Sequence, residues 1–153
     1  MFGYGWRPDM GSYAWIPASH GHIPAGAVVA GKDTDGSKLY VGRAFHEGDL
    51  IPAKVAPAHG GAFVPYGGGE HSKFEYEVLS CSHVAWQFGK KGEVPSNAIP
   101  VGTTSSGEKL YVGRTLHEGS LSPGKIQPSH EVLYIPFGGE EVSFEEYEVL
   151  VLI

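Results

Sequence analysis

The chain repeats itself at a fixed offset, and that feature limits its possible folds more than any other. Gly36-Ser37-Lys38-Leu39-Tyr40-Val41-Gly42-Arg43 returns as Gly107-Glu108-Lys109-Leu110-Tyr111-Val112-Gly113-Arg114. His46-Glu47-Gly48 returns as His117-Glu118-Gly119, and Tyr76-Glu77-Val78-Leu79 as Tyr147-Glu148-Val149-Leu150. Every pair is 71 positions apart without a gap, and residues 13–82 match 84–153 at 31 of 70 positions. A unit of about 70 residues buries little apolar surface alone. The two copies are therefore expected to share a core, related by pseudo-two-fold symmetry. The chain divides into an N-terminal aromatic arm, residues 1–12, a first repeat, 13–82, and a second, 83–153.

The local signals are those of strands. Lys38 to Phe45 is rich in Leu, Tyr and Val, and Lys73 to Leu79 alternates aromatic with acidic residues, as a half-buried antiparallel strand does. Ala62-Phe63-Val64-Pro65-Tyr66 and Leu133-Tyr134-Ile135-Pro136-Phe137 are short apolar runs that stop at glycine pairs. Asp35-Gly36 and Ser106-Gly107 are hairpin dipeptides just ahead of the Leu-Tyr-Val runs. With 23 Gly and 11 Pro in 153 residues, long helices have little room. The expected fold is all-β, built of short antiparallel strands in two tandem repeats.

Charge and cysteine content narrow the function. A net charge of −6 argues against nucleic acid as a partner, because that affinity needs a basic surface. No run approaches the ~20 apolar residues of a membrane-spanning helix, so membrane insertion is not expected. Met1 to Pro8 lacks the charged and apolar regions of a secretory signal, which implies a cytoplasmic protein or one released by a non-classical route. The single Cys81 excludes an intramolecular disulfide framework and a multi-cysteine zinc site. It aligns with Leu152 and reads as a small core residue.

Polar residues kept between duplicates that differ at more than half their positions carry the functional signal. Lys38/Lys109, Arg43/Arg114, His46/His117, Glu47/Glu118, Lys54/Lys125, His59/His130 and Glu77/Glu148 are such pairs. Structural ion pairs are one explanation, and a binding site in each half is the other. Lys54 and Lys125 follow a Pro-x pair and precede an apolar residue. An ammonium beside a carboxylate offers donors and acceptors together, which suits a sugar diol; the plain alternative is a solvated lysine. Asp33 and Asp35 resemble a calcium loop but lack its later bidentate Glu, and the second copy has Thr104 and Ser106 instead. They read as a turn whose acids serve as ligand acceptors. His20-Gly21-His22 becomes Lys91-Gly92-Glu93, so a metal role is not expected. The chain has no nucleophile elbow, phosphate loop or dinucleotide fingerprint, and it is read as neither an enzyme nor a cofactor binder.

These motifs, with Leu-x-Pro-x-Lys, Pro-Tyr/Phe-Gly-Gly and an entry Gly-x-x-Pro-x-x-Ala, resemble the DM-nine repeat family over nearly the whole chain. The resemblance implies a mannose-specific lectin of innate immunity: all-β, homodimeric and independent of calcium. It implies an Asp and a Lys as the mannose-contacting pair. The lysine carries over to Lys54, and by duplication to Lys125. Asp33 is preferred to Asp35, and Glu47 and Glu118 are further acceptor candidates. Gly124, in place of Ala53, implies a less firmly held second lysine. Some members of the family add a pore-forming module; the chain ends at Ile153, so none is expected here. The rival reading is a protein-interaction module without a sugar site.

Overall fold

The 71-residue offset persists in three dimensions. A computed structural model describes residues 13–153, and the aromatic arm lies outside the described residues. The first repeat forms β1 (Ala14–Ser19), β2 (Val29–Lys32), β3 (Lys38–His46), β4 (Asp49–Ala56), β5 (Gly61–Tyr66), β6 (Gly69–Lys73) and β7 (Glu75–Ser80). The second forms β8 (Val84–Lys90), β9 (Pro100–Thr103), β10 (Lys109–His117), β11 (Ser120–Gln127), β12 (Val132–Phe137), β13 (Glu140–Phe144) and β14 (Glu146–Leu152). One-turn 3₁₀ segments, Pro57–His59 and Pro128–His130, join β4 to β5 and β11 to β12. The protein is all-β, as expected. The alternating run from Lys73 to Leu79 is not one strand, because the chain bends at Phe74 and divides it between β6 and β7.

The strands form one antiparallel network in the order β1-β7-β3-β2-β11-β12-β13-β6-β5-β4-β9-β10-β14-β8, closed on itself by the β3–β4 and β10–β11 hairpins. Exchanging each strand for its duplicate reverses this order and leaves it unchanged, which is pseudo-two-fold symmetry. The repeats interleave rather than sit side by side. Strand β2 pairs with β11 at Lys32 and Leu121, β9 with β4 at Thr103 and Leu50, and β6 with β13 at Gly69 and Glu140.

The core is partly shared and partly private. Val28, Ala30, Val41 and Leu79 pack with Ile99, Val101, Val112 and Leu150 in a cluster drawn equally from both repeats. Half-buried Cys81 packs against it. Two further clusters belong to single repeats, one around Ile51, Val55, Val64 and Val78, the other around Ile126, Leu133, Ile135 and Val149. Each repeat folds a small core of its own and completes it by docking.

Arginines fasten that docking. Arg43 donates to Glu77 at 2.7 Å and to the Val101 carbonyl of the other repeat at 3.1 Å, with its guanidinium 4.2 Å above the Trp15 ring. Arg114 does the same to Glu148, to the Ala30 carbonyl and over Trp86. Four of the kept polar residues are thereby explained as structural. Where β2 meets β11, a Cβ at Gly31 would lie 2.0 Å from the Leu121 carbonyl oxygen, and one at Gly102 would lie 1.9 Å from that of Leu50. Only glycine allows these backbones to touch.

The Gly31→Ala and Gly102→Ala variants should each lose about 1–3 kcal/mol, the cost of overpacking a fixed backbone contact. Urea unfolding measures this, and an unchanged midpoint would contradict the interleaved junction.

Candidate functional site

Lys54 stands on β4 opposite Phe63 of β5, and Lys125 stands on β11 opposite Tyr134 of β12. Strand β4 is covered on both faces, so its lysine is carried inward. Lys54 is only 6% exposed and Lys125 5%, neither of them solvated. An ammonium withdrawn from water needs a carboxylate and further hydrogen-bond partners. Lys54 Nζ lies 3.2 Å from Glu70 Oε2 and donates to the Pro136 carbonyl at 2.6 Å. Lys125 Nζ lies 3.2 Å from Glu141 Oε2. Two aromatic rings flank each ammonium within cation–π range: Phe63 and Phe137 at 5.8 and 5.6 Å from Lys54, Tyr134 and Tyr66 at 5.3 and 5.4 Å from Lys125.

Each of these sites is built from both repeats. Phe137 and the Pro136 carbonyl, at the end of β12, complete the Lys54 site, and Tyr66 of β5 completes the Lys125 site. The glutamates tie the exchange together. Glu70 Oε1 accepts from Gly139 N at 2.9 Å, and Glu141 Oε1 accepts from Gly68 N at 2.9 Å. Backbone bonds from Glu70 N to Gly139 O and from Glu141 N to Gly68 O run beside them. Glycines 67, 68, 138 and 139 all have positive φ, so the glycine pairs form the tight β5–β6 and β12–β13 hairpins that present these amides.

Above Lys54 is an open cleft of about 440 Å³, lined by Asp33, Thr34, Asp35, Lys54, His59, Phe63, Glu70, Phe137 and Gly138. Asp33 Oδ2 lies 3.3 Å from His59 Nε2, and its Oδ1 accepts from Thr34 N. Asp35 accepts from the Ser37 hydroxyl and amide, and these bonds hold its carboxyl below the usual range. Both acids therefore shape the β2–β3 turn and face the cleft. No three His, Cys, Asp or Glu side chains converge as metal ligands among the described residues.

The corresponding turn of the second repeat differs. Thr104 and Ser106 replace the acids and bond each other at 3.0 Å. Glu108, where the first repeat has Ser37, accepts from the Ser129 amide and hydroxyl and from Gln127. Burial pushes its carboxyl up, but these bonds outweigh it and leave the group below the ordinary range. His130 Nδ1 meets the Tyr134 hydroxyl at 2.8 Å, whereas His59 meets Asp33.

The structure brings Asp33, Asp35 and Lys54 together around one cleft and sets Lys125 in the equivalent place. Glu47 and Glu118 sit elsewhere, at positive φ in the β3–β4 and β10–β11 turns. Lys54 lies five residues along β4 from the turn, roughly 16 Å at strand spacing. Glu118 is exposed and reaches His117 at 3.4 Å. The lysine partners, Glu70 and Glu141, carry a signal in the sequence, being themselves an identity at the 71-residue offset. Gly124 does not loosen Lys125. A Cβ there would meet the Tyr134 carbonyl oxygen at 1.9 Å, so the glycine admits the β12 backbone.

A family model described as the DM9 repeat matches residues 7–44 and 33–144. The chain belongs to the DM9 repeat family. Natterin-4 of Thalassophryne nattereri is 33% identical over 135 residues, covering 86% of this chain and 32% of that protein. Natterin-3 of the same fish is 38% identical over 68 residues, covering 44% of this chain and 16% of that protein. The chain thus spans a third or less of the length of these curated relatives. Among solved structures, the nematode sperm cell motility protein MFP2B shares the fold, with a TM-score of 0.63 at 13% identity, over 93% of this chain and 47% of that one. In this DM9 pair, Arg43/Arg114, Lys54/Lys125, Glu70/Glu141, Gly31/Gly102 and the Gly68/Gly139 turns are identical in both copies and join them.

Removing one partner of a buried ion pair costs about 3–5 kcal/mol. Glu70→Gln should lose stability on that scale, because it weakens the hold on both Lys54 and the Gly139 turn. Denaturant unfolding reads the loss, and a change of less than about 1 kcal/mol would show the pair to be solvated.

Proposed function

We propose that the chain is a carbohydrate-binding module that recognises mannose-type glycans without calcium, as a lectin of microbial recognition or agglutination. The observation that carries this reading is the Lys54 cleft: a buried, carboxylate-paired ammonium between two phenyl rings, beneath a rim bearing two aspartates. Of the three ammonium protons, two are engaged by Glu70 and the Pro136 carbonyl, which leaves one to face a ligand. Asp33 and Asp35 supply acceptors, so vicinal hydroxyls meet both kinds of partner. A ring face of Phe63 or Phe137 matches the apolar C–H face of a pyranose. The cleft volume of about 440 Å³ lies near the lower end of ligand sites, the scale of one or two sugar rings.

Calcium is not required in this scheme, because the ammonium and carboxylates do the work that a bound cation would do. Two lysine sites per chain, doubled in a homodimer, give avidity for multivalent glycans. The Lys54 cleft is the stronger of the two, since only its rim carries aspartates. The rival, an interaction module without a sugar site, makes the opposite prediction for a sugar column.

The protein should be retained on mannose-agarose, eluted by free mannose and unaffected by chelator. Asp33→Asn or Asp35→Asn keeps a carbonyl acceptor but removes charge. With a charge-assisted bond lost, calorimetry should show an affinity about ten- to a hundred-fold weaker, with thermal unfolding nearly unchanged. No retention at all, or affinity losses matched by equal losses of stability, would return these acids to a structural role.

A further inference from the structure

The rings that roof the two lysines are held from behind by different chemistry. Tyr66, over Lys125, receives the edge of His46 at 4.9 Å, and His46 stacks on His71 with centroids 4.3 Å apart. His71 Nε2 also lies 2.9 Å from the Tyr66 carbonyl. Phe137, over Lys54, receives His117 at 4.7 Å, but His117 then meets the Phe144 ring. The difference is local: His71 and Lys73 of β6 become Val142 and Phe144 of β13. One cage holds two imidazoles and an ammonium, and the other is hydrocarbon around one imidazole.

We propose that the stacked His46–His71 pair behind Tyr66 makes the Lys125 site sensitive to mild acid, while the Lys54 cleft is not. This rests on the carbohydrate reading of the two sites. Two neutral imidazoles stack readily, whereas two protonated ones at this separation repel each other, and Lys73 adds a third cation. Besides Tyr66 of β5, four charged or titratable groups act on His46. Lys73 and His71 come from β6, Glu47 from the β3–β4 turn and Asp49 from β4. Burial holds the His46 imidazole below the ordinary histidine range, Lys73 and His71 push the same way, and Glu47 and Asp49 oppose them.

The sign follows from linkage. A histidine with a depressed folded-state pKa binds its proton more weakly folded than unfolded. The stability of this cage is full above the unfolded value of about 6.5 and is lost as pH falls below it. Protonation forces the rings apart, Tyr66 loses its backing, and the Lys125 roof loosens. His117 packs instead against Phe137 and Phe144 and lies 3.4 Å from Glu118, so no imidazole–imidazole repulsion arises behind Phe137.

The test compares the wild type with His71→Val/Lys73→Phe, which imports the second repeat's cage. Calorimetry with methyl mannoside at about pH 7.5 and about pH 5.5 brackets the histidine range. The wild type should show two binding events at the higher pH and one at the lower, and adding Asp33→Asn should remove the survivor. The double variant should keep both events at both pH values; His71→Val alone serves where the double variant does not fold. Ring resonances of Tyr66, assigned with Tyr66→Phe, should move with acid in the wild type and stay fixed in the variant. Two events in both proteins at low pH, or parallel loss in both, overturns the proposal. With no sugar binding at either pH, the carbohydrate reading fails and the Tyr66 titration decides alone: movement only in the wild type supports the acid-responsive roof, and fixed resonances overturn it.

Discussion

One carboxylate in each repeat holds two things at once. Glu70 gives one oxygen to the buried Lys54 ammonium and the other to the Gly139 amide of the opposite repeat, and Glu141 does the same for Lys125 and Gly68. Neither lysine could be buried without its glutamate, because an uncompensated ammonium in a dry interior costs several kcal/mol. Nor could the hairpins meet as they do, since the same oxygens accept the amides that the glycine turns present. The ion pair is therefore a cleft floor and an inter-repeat clasp at the same time. Separating the repeats would remove a roof and a glutamate bond from each floor, and a carbonyl from that of Lys54, so the tandem pair is the smallest unit that contains a whole cleft.

The strand pattern and the symmetry were legible because each is a property of one repeat read locally, or of two repeats read against each other. Leu39, Val41, Leu110 and Val112 declare inward faces by alternation, and the gapless offset declares the two-fold. The lysines stood out for the same reason, as charged residues kept where a solvated surface would have drifted. Their partners were harder to find. Glu70 is kept as strictly as Lys54, yet 16 residues separate them, and only the β4–β5–β6 meander brings them together. Glu47, next to a kept histidine, looked equally suitable. Hairpin geometry puts it at a turn, where its positive φ is shared with Glu118, and backbone conformation is a sufficient reason for the pair.

Contacts between the repeats left no local trace. Phe137 over Lys54 and Tyr66 over Lys125 are hydrophobic residues ending short strands, and each reads as core of its own repeat. Gly31, Gly102 and Gly124 read as turn or flexibility signals, though each stands where another strand's carbonyl oxygen comes within 2.0 Å of its missing Cβ. A sequence reports what a position tolerates, and close approach of a distant backbone is the least visible of those constraints.

Duplication with interleaving also explains where the two halves differ. The floor residues contact both repeats, so a change in Lys54 or Glu70 disturbs a cleft and the joint together, and they stay alike. The rims differ: Asp33 and Asp35 make their side-chain bonds to Thr34, Ser37 and His59 of their own repeat, whereas in the second repeat Thr104 and Ser106 bond each other and Ser105 N donates to Asp49 of the first. The cages behind the roofs differ too, with His71 and Lys73 at the positions that Val142 and Phe144 take in the second repeat. A fold of this kind can keep two equivalent floors and vary acid content at one level and proton sensitivity at another, because the interactions that fix the fold and those that tune a cleft fall on different residues.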